Sequence, residues 1–107
     1  MHMKGTREVS REELITVEEE SALIKQIQQS PGDSDAAKER LLLANRRFVH
    51  AIAKTFVTGS YTIEELIAEG NKGLLRSVDK YDERRGFKFI TYAQWWIKES
   101  IKQYINN

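Results

Sequence analysis

Apolar residues recur at intervals of three and four along most of this chain, and that interval is the period of an α-helix with one buried side. The clearest such row is Leu41, Ala44, Phe48, Ile52 and Phe56, which we interpret as one buried stripe. The chain has only one proline and six glycines, which leaves room for long uninterrupted helices. No segment has a strong strand pattern. The sequence therefore predicts an all-α fold, a compact bundle of four to five helices.

Capping signals and helix-breaking residues give the expected helix boundaries. A hydroxyl three residues before a carboxylate, as in Thr16–Glu19 and Thr62–Glu65, is typical of a helix start, and Thr91–Gln94 has the same form. Gly59 is expected to end the second helix. The expected helices cover about residues 17–29, 35–57, 63–78 and 91–105, with a connector from Lys80 to Ile90 before the last one.

The length of 107 residues is enough for one small domain and not for two. We expect residues 1–13 to be a loose polar segment or a cloning remnant, and residues 14–107 to form the domain. Within it, residues 14–30 would be a first helical part and residues 35–107 the rest. The chain has no cysteine, which excludes a disulfide framework and fits a reducing cytoplasm. No apolar run approaches the ~20 residues of a membrane span, so we expect no membrane partner.

Charge is unevenly distributed, although the net charge is only +1. Residues 8–39 carry nine acids and three bases, residues 40–57 carry four bases and no acid, and residues 71–107 carry eight bases and four acids. This asymmetry suggests an anionic partner for the back half. Charge alone leaves chance segregation in a short chain as an equal alternative.

The last helix has two unlike faces. At about 100° per residue, Ala93, Ile97, Ile101 and Tyr104 fall within roughly 80° of one another and form the expected core stripe. Three large aromatic residues lie among charges on the other side, namely Tyr92, Trp95 and Trp96. Aromatic residues are usually buried, so the alternative is that another helix covers the tryptophans.

The connector favours the exposed alternative. Arg84-Arg85-Gly86-Phe87-Lys88-Phe89 interleaves cations with rings, and seven of the ten aromatic residues lie between Tyr81 and Tyr104. Cations for phosphates beside rings for base stacking are what a single-stranded nucleic-acid platform requires. No glycine-rich phosphate loop, histidine cluster or facing carboxylate pair accompanies them. We therefore expect a binding module that is not an enzyme and needs no metal or cofactor.

Several segments together resemble region 2 of the bacterial sigma-70 family of RNA polymerase sigma factors. In chain order they are Asn45-Arg46-Arg47-Phe48-Val49, Glu65-Leu66-Ile67-Ala68-Glu69-Gly70-Asn71-Lys72-Gly73-Leu74, Arg84-Arg85-Gly86-Phe87-Lys88-Phe89 and Thr91-Tyr92-Ala93-Gln94-Trp95-Trp96-Ile97. The front, Leu14 to Gln28, is similar to region 1.2. The tryptophan pair and the glycine–asparagine segment resemble the primary type or a close relative.

The resemblance implies a promoter-melting domain that is a monomer when free. Such a domain binds core RNA polymerase at the clamp helices of the β′ subunit, recognises the −10 promoter element and captures bases of its melted non-template strand. The implied DNA-binding residues are Asn45, Arg47, Tyr81, Asp82, Arg85, Phe87, Lys88, Thr91, Tyr92, Trp95, Trp96, Lys98, Glu99 and Lys102. The implied polymerase-binding residues are Ile63, Glu65, Glu69, Asn71 and Leu75.

The resemblance also implies individual roles. Tyr92 matches the ring that stacks on a flipped-out adenine, in a pocket whose walls match Tyr81, Asp82, Arg85, Phe87 and Thr91. Trp95 and Trp96 match the pair at the upstream edge of the bubble. Asn45 and Lys88 match positions near a second flipped base, which also contacts region 1.2. Glu99 and Lys102 match positions that read the last duplex base pair.

Some positions depart from the family pattern. Glu99 replaces a usual glutamine, so it could accept a hydrogen bond from cytosine but cannot make the two-way contact of glutamine with adenine. Arg46 and Ala68 replace the leucine and glutamine that the family often has near its polymerase contact. We expect an altered sequence preference rather than lost function. Because the domains beyond region 2 are missing, we also expect the chain to be part of a longer protein.

Two other classes of function remain as alternatives. The first is a helical protein-binding module whose aromatic face meets a partner helix. The second is a reader of double-stranded DNA with the last helix in a major groove, which two tryptophans fit poorly.

Overall fold

The computed structural model describes residues 14–107, and the expectations for residues 1–13 lie outside this range. The described residues form five α-helices and two single-turn 3-10 helices with no strand, which confirms the all-α prediction. The helices are α1 (Val17–Gln29), α2 (Asp35–Ala44), α3 (Arg46–Lys54), α4 (Ile63–Lys80) and α5 (Phe89–Asn106). The 3-10 turns are Pro31–Asp33 and Glu83–Arg85. Over residues 14–107, no helix has both the length and the apolar character that a bilayer crossing requires.

The predicted starts of α1 and α4 are correct. The Thr16 hydroxyl oxygen accepts a hydrogen bond from the Glu19 amide at 3.0 Å. At the start of α4 two residues cap each other. The Thr62 hydroxyl accepts from the Glu65 amide at 3.1 Å, and the Glu65 carboxylate accepts from the Thr62 amide at 2.9 Å, which is a capping box. These contacts satisfy amides at the helix start that have no partner within the helix.

The prediction of one helix over residues 35–57 is wrong, because the helix breaks at Asn45 and ends at Lys54. The side-chain amide of Asn45 donates to the Leu41 carbonyl at 2.9 Å, and its backbone amide is shared between the carbonyls of Leu41 and Leu42 at 3.2 Å each. A short polar side chain that competes for a helical carbonyl favours a turn over a continued helix.

The break also changes which residues of this segment are buried. Leu41, Val49 and Ala53 are fully buried, whereas Phe48, predicted in the buried stripe, is 48% exposed. The observed buried stripe is therefore Leu41, Asn45, Val49 and Ala53, displaced by one position from the predicted one from Ala44 onward.

Helix α5 begins at Phe89, with Lys88 at its N-cap, so the prediction of Thr91 as the cap is wrong. The Lys88 side chain makes no capping hydrogen bond. Phe89 is only 1% exposed and belongs to the core. Burial of this ring therefore accompanies the start of the helix at a position that capping chemistry did not indicate.

The pair α4 and α5 forms the most extensive helix contact in the described chain. A Cβ at Gly73 would clash with the Trp96 carbonyl oxygen and lie 2.6 Å from the Ser100 hydroxyl, while one at Gly70 would lie 2.9 Å from a methyl of Val49. The two glycines thus allow α5 and α3 to pack directly on the backbone of α4. This close packing offsets the ~1 kcal/mol that glycine costs inside a helix.

Candidate nucleic-acid interface

Six rings from the end of α4, the connector and the first half of α5 form a continuous row. Ring-centroid distances from Tyr81 are 5.3 Å to Phe89, 6.2 Å to Phe87 and 5.8 Å to Tyr92. Tyr92 lies 6.4 Å from Trp96, which meets Trp95 edge-on at 5.4 Å. We call this set the aromatic row: Tyr81, Phe87, Phe89, Tyr92, Trp95 and Trp96.

Tyr81 is the hub of the aromatic row. Its hydroxyl donates to the Phe87 carbonyl at 2.6 Å, which holds the connector against the end of α4. Burial raises the pKa of this phenol, and the nearby carboxylates of Glu20, Glu83 and Asp82 raise it further. The phenol therefore remains a protonated donor whose hydrogen bond is already used within the protein.

Exposure varies from ring to ring along the row. Phe89 is 1% exposed, Tyr92 and Trp96 are half-buried, and Trp95 is 60% exposed. The alternative in which another helix covers both tryptophans is therefore wrong for Trp95. Phe87 is also exposed, at 37%, so the row presents two large exposed rings as a candidate binding surface.

The spacing of the rings determines where a base could stack. Phe87 and Tyr92 are nearly parallel, with an interplanar angle of 24° and centroids 5.8 Å apart. A base between two rings needs about 7 Å, because stacked carbons approach to about 3.5 Å on each side. No base fits between these rings as they stand, so a base would stack on the outer side of the row.

The 3-10 turn of the connector is held by Asp82. Its carboxylate accepts from the Arg84 backbone amide at 3.0 Å and from two guanidinium nitrogens of Arg84 at 2.9 Å. These hydrogen bonds from Arg84 lower the pKa of Asp82 from 3.8 to about 2. Gly86 ends the turn with a φ of 88°, a left-handed conformation that glycine adopts without strain. Asp82 thus shapes the connector, while Arg85 and Lys88 are exposed beside the rings.

Helix α1 supports the connector from behind. The Gln28 side-chain amide donates to the carbonyls of Val78 and Tyr81 at 2.8 and 2.9 Å, and so holds the last turn of α4. The Ser21 hydroxyl donates to the Glu83 carboxylate at 2.9 Å. Sequence reasoning missed Gln28 and Ser21, and no local signal indicates them, because their partners lie 50 or more residues away.

A groove of about 540 Å³ separates α1 from the connector, and we call it the apolar groove. It brings together Asn45 and Lys88, as the predicted second-base site requires, and adds Glu20 and Phe48. Burial raises the pKa of Glu20. Asn45 is only 4% exposed, and one N–H of its NH₂ group donates to the Leu41 carbonyl, which leaves its second N–H and its carbonyl oxygen for a ligand.

The other predicted DNA-binding residues lie on two surfaces. Thr91 and Lys98 are exposed on the outer side of α5, where Glu99 and Lys102 form an ion pair at 3.3 Å. Arg47 does not join the aromatic row. It lies on α3, in a separate groove with His50 and Lys54.

Comparison with known proteins identifies the domain. Residues 41–107, from α2 to the end of the chain, match the family Sigma-70 region 2. The chain belongs to the sigma-70 family. RNA polymerase sigma factor SigA of Listeria monocytogenes is 46% identical over 99 residues, which are 92% of this chain and 26% of that protein. The protein of the same name from Listeria innocua has the same identity and coverage. The chain thus spans about a quarter of the length of these relatives.

Four of the five polymerase-binding positions predicted for this sigma-70 region 2 lie on two sides of α4. Glu65 accepts from the Tyr104 hydroxyl at 2.7 Å, and Glu69 pairs with Lys72 at 3.0 Å. Asn71 and Leu75 lie roughly 120° around the helix from these two glutamates, at 100° per residue. Ile63 is partly buried against the core. The set therefore flanks the outward face of α4 instead of forming one patch.

The Glu65 carboxylate is the most engaged of these groups. Hydrogen bonds from the Thr62 backbone and the Tyr104 hydroxyl lower its pKa, and the same contact raises the pKa of Tyr104. In this sigma-70 domain, Glu65 thus joins the start of α4 to the end of α5. A polymerase contact at Glu65 would have to share a carboxylate that already accepts three hydrogen bonds.

Proposed function

We propose that this domain binds core RNA polymerase and recognises the −10 element of promoter DNA, where it captures unpaired bases of the non-template strand. The observation that carries the proposal is the aromatic row, which ends in an exposed Trp95 and is bordered by the cations Arg85 and Lys88. Rings for stacking beside cations for phosphates suit a single strand better than a duplex groove. Membership of the sigma-70 family supports the same reading.

Energetics require more than one captured base. Unpairing and unstacking a base costs a few kcal/mol, and one stacking contact returns about 1–3 kcal/mol. We assign the first base to the outer side of Tyr92, with Arg85, Thr91 and Phe87 beside it. We assign the second to the apolar groove, where Glu20, the Asn45 carbonyl oxygen and Lys88 meet.

In this proposal residues 14–107 act as one unit. The Gln28 hydrogen bonds and the Ser21–Glu83 contact join α1 to the connector, so the two walls of the apolar groove are held in register. Trp95 and Trp96 would pack against the upstream edge of the bubble. The two flanks of α4 would contact the β′ clamp helices.

Sequence preference would depend on the Glu99–Lys102 pair. A carboxylate accepts hydrogen bonds and donates none, so Glu99 favours a base with an exposed amino group such as cytosine. Lys102, at 3.3 Å from that carboxylate, would have to move aside or turn to a phosphate when a base binds. We therefore infer a preference at this position that differs from that of a glutamine.

A binding series tests the proposal. The chain, alone and bound to a fragment carrying the β′ clamp helices, is titrated with single-stranded oligonucleotides that contain or lack a TATAAT-like run. We expect preference for that run, with a loss of about 1–3 kcal/mol in Tyr92→Ala. Tyr92→Phe is the matched control and keeps the affinity, because it retains the ring.

The other outcomes select the other classes of function. Stronger binding to duplex than to single strand would favour a major-groove reader. Binding to the clamp helices without binding to any oligonucleotide would leave a protein-interaction module, and the base-capture proposal would be wrong.

A further inference from the structure

Helix α3 presents a second open groove, distinct from the apolar groove and the aromatic row. It measures about 560 Å³ and is lined by Arg46, Arg47, His50, Ala51 and Lys54. At 100° per residue, its four basic side chains fall within about 100° of one another, so they form a stripe along one side of the helix. We call it the α3 basic groove.

The α3 basic groove has no carboxylate among its lining residues. Over residues 14–107, neither Arg47 nor Lys54 takes part in an ion pair. Both side chains are exposed on a short helix. Unneutralised cations in one open groove attract a polyanion.

The lining also indicates which polyanion fits. Protein interfaces bury a central apolar or aromatic cluster, and this groove contains no apolar side chain larger than that of Ala51. Phosphate contacts need no such cluster, because cations and hydrogen-bond donors suffice. The guanidinium fork of Arg47 matches the oxygens of a phosphate, and the small Ala51 side chain leaves the floor of the groove open.

Its location separates this groove from the base-binding sites. On the α3 wheel, Arg47 lies about 100° from Phe48, which lines the apolar groove, so the two grooves flank α3 on different sides. The groove would therefore hold a separate stretch of nucleic-acid backbone.

We propose that the α3 basic groove binds the phosphodiester backbone of nucleic acid without reading its sequence. The inference rests on the proposed function in that promoter DNA would be the nucleic acid it meets. It adds a sequence-independent, salt-sensitive contribution to affinity beyond that of Arg85 and Lys88 beside the aromatic row.

The test is the salt dependence of binding in the variant Arg47→Gln/Lys54→Gln. Affinity of the 107-residue chain is measured from 50 to 200 mM salt with a single strand that extends well beyond a TATAAT run, so that its flank can reach the α3 basic groove, and with a scrambled strand of equal length. Each lost phosphate contact on a single strand lowers the log–log slope by about 0.7, so we expect a fall of about 1.4 with both oligonucleotides. Lys38→Gln, on the far side of α2, is the control and leaves the slope unchanged.

The outcomes separate this inference from the proposed function. A fall in slope with both strands, in a chain that lacks TATAAT preference and is insensitive to Tyr92→Ala, would uphold the groove and overturn base capture. An unchanged slope in the double variant would overturn the groove. Loss of core-polymerase binding with an unchanged slope would also overturn it, and would assign Arg47 and Lys54 to an acidic protein surface. Equal thermal unfolding of the variants and the original chain verifies that the fold is retained.

Discussion

The two faces of α5 differ in almost every respect. On one face Ala93, Ile97 and Ile101 are completely buried against α4. On the other, Trp95 is 60% exposed. The helix is held in place by its aliphatic face, so its aromatic face can remain open without being needed for stability. Stability thus depends on one face of the helix, and the recognition that we propose depends on the other.

The largest expected effect is on the free energy of unfolding, when one residue on each face of α5 is replaced by alanine and the two variants are compared. Ile97→Ala removes fully buried atoms next to the α4 backbone and should lower the free energy of unfolding by about 2–5 kcal/mol. Trp95→Ala should change it by less than about 1 kcal/mol, because the ring is mostly in solvent. Urea denaturation followed by circular dichroism measures both.

In nucleic-acid binding we expect the opposite order, with the larger loss of affinity in Trp95→Ala and the smaller in Ile97→Ala. Trp95→Ala is expected to weaken single-strand binding by about 1–3 kcal/mol through lost stacking, while Ile97→Ala keeps its affinity at a temperature where it remains folded. If Trp95→Ala destabilises the fold as much as Ile97→Ala does, the separation of the two faces is incorrect.

A smaller effect is expected where α5 approaches α4 most closely. Gly73→Ala places a methyl group against the Trp96 carbonyl oxygen. A backbone atom can move away from such a contact less easily than a side chain can. We expect a loss of about 1–3 kcal/mol in the free energy of unfolding, even after the gain in helix propensity. Thermal melting provides the measurement.

Gly59→Ala is the matched control for this substitution. No atom lies within 4 Å of the Cβ that it adds, so it should change the free energy of unfolding by less than about 1 kcal/mol. Equal effects at the two positions would contradict the close approach of the helices at Gly73.

The smallest effect concerns the connector, and it depends on pH. The folded pKa of Asp82 is about 2, below its usual value of 3.8, so the Asp82–Arg84 contact stabilises the turn at neutral pH. That contribution is lost as the pH falls from about 4 through 2, because protonation removes the charge that Arg84 holds. Asp82→Asn should show no such step.

Carboxyl chemical shifts followed by NMR during an acid titration measure this directly. A midpoint near 2 for Asp82 is the expected result, and a midpoint near 4 would mean that Arg84 does not hold the carboxylate in solution. Asp82→Asn spectra identify the resonance.

Local signals in the sequence were sufficient for much of the fold. The helix period and the capping residues Thr16 and Thr62 correctly predict α1 and the start of α4, because both depend on residues within one turn. The wheel of α5 correctly separates Ile97 from Trp95, since it needs only a regular helix. The row of rings follows from the same wheel together with the connector.

Features that depend on distant or competing contacts could not be predicted in this way. Asn45 is compatible with a helix by period alone, and only its hydrogen bond to Leu41 reveals the break. The start of α5 coincides with burial of Phe89 in the core rather than with a cap. The contacts of Gln28 with the end of α4 join parts of the chain 50 residues apart, which no periodicity encodes.

The contact between Gly73 and the Trp96 carbonyl has a consequence for how such domains can diversify. The closest point between the two helices involves the main chain of Trp96, so the placement of that position does not depend on which side chain it carries. A lineage can therefore exchange the rings on the open face without rebuilding the scaffold underneath. A substitution at Gly73 would instead displace α5, and with it all the rings that this helix carries.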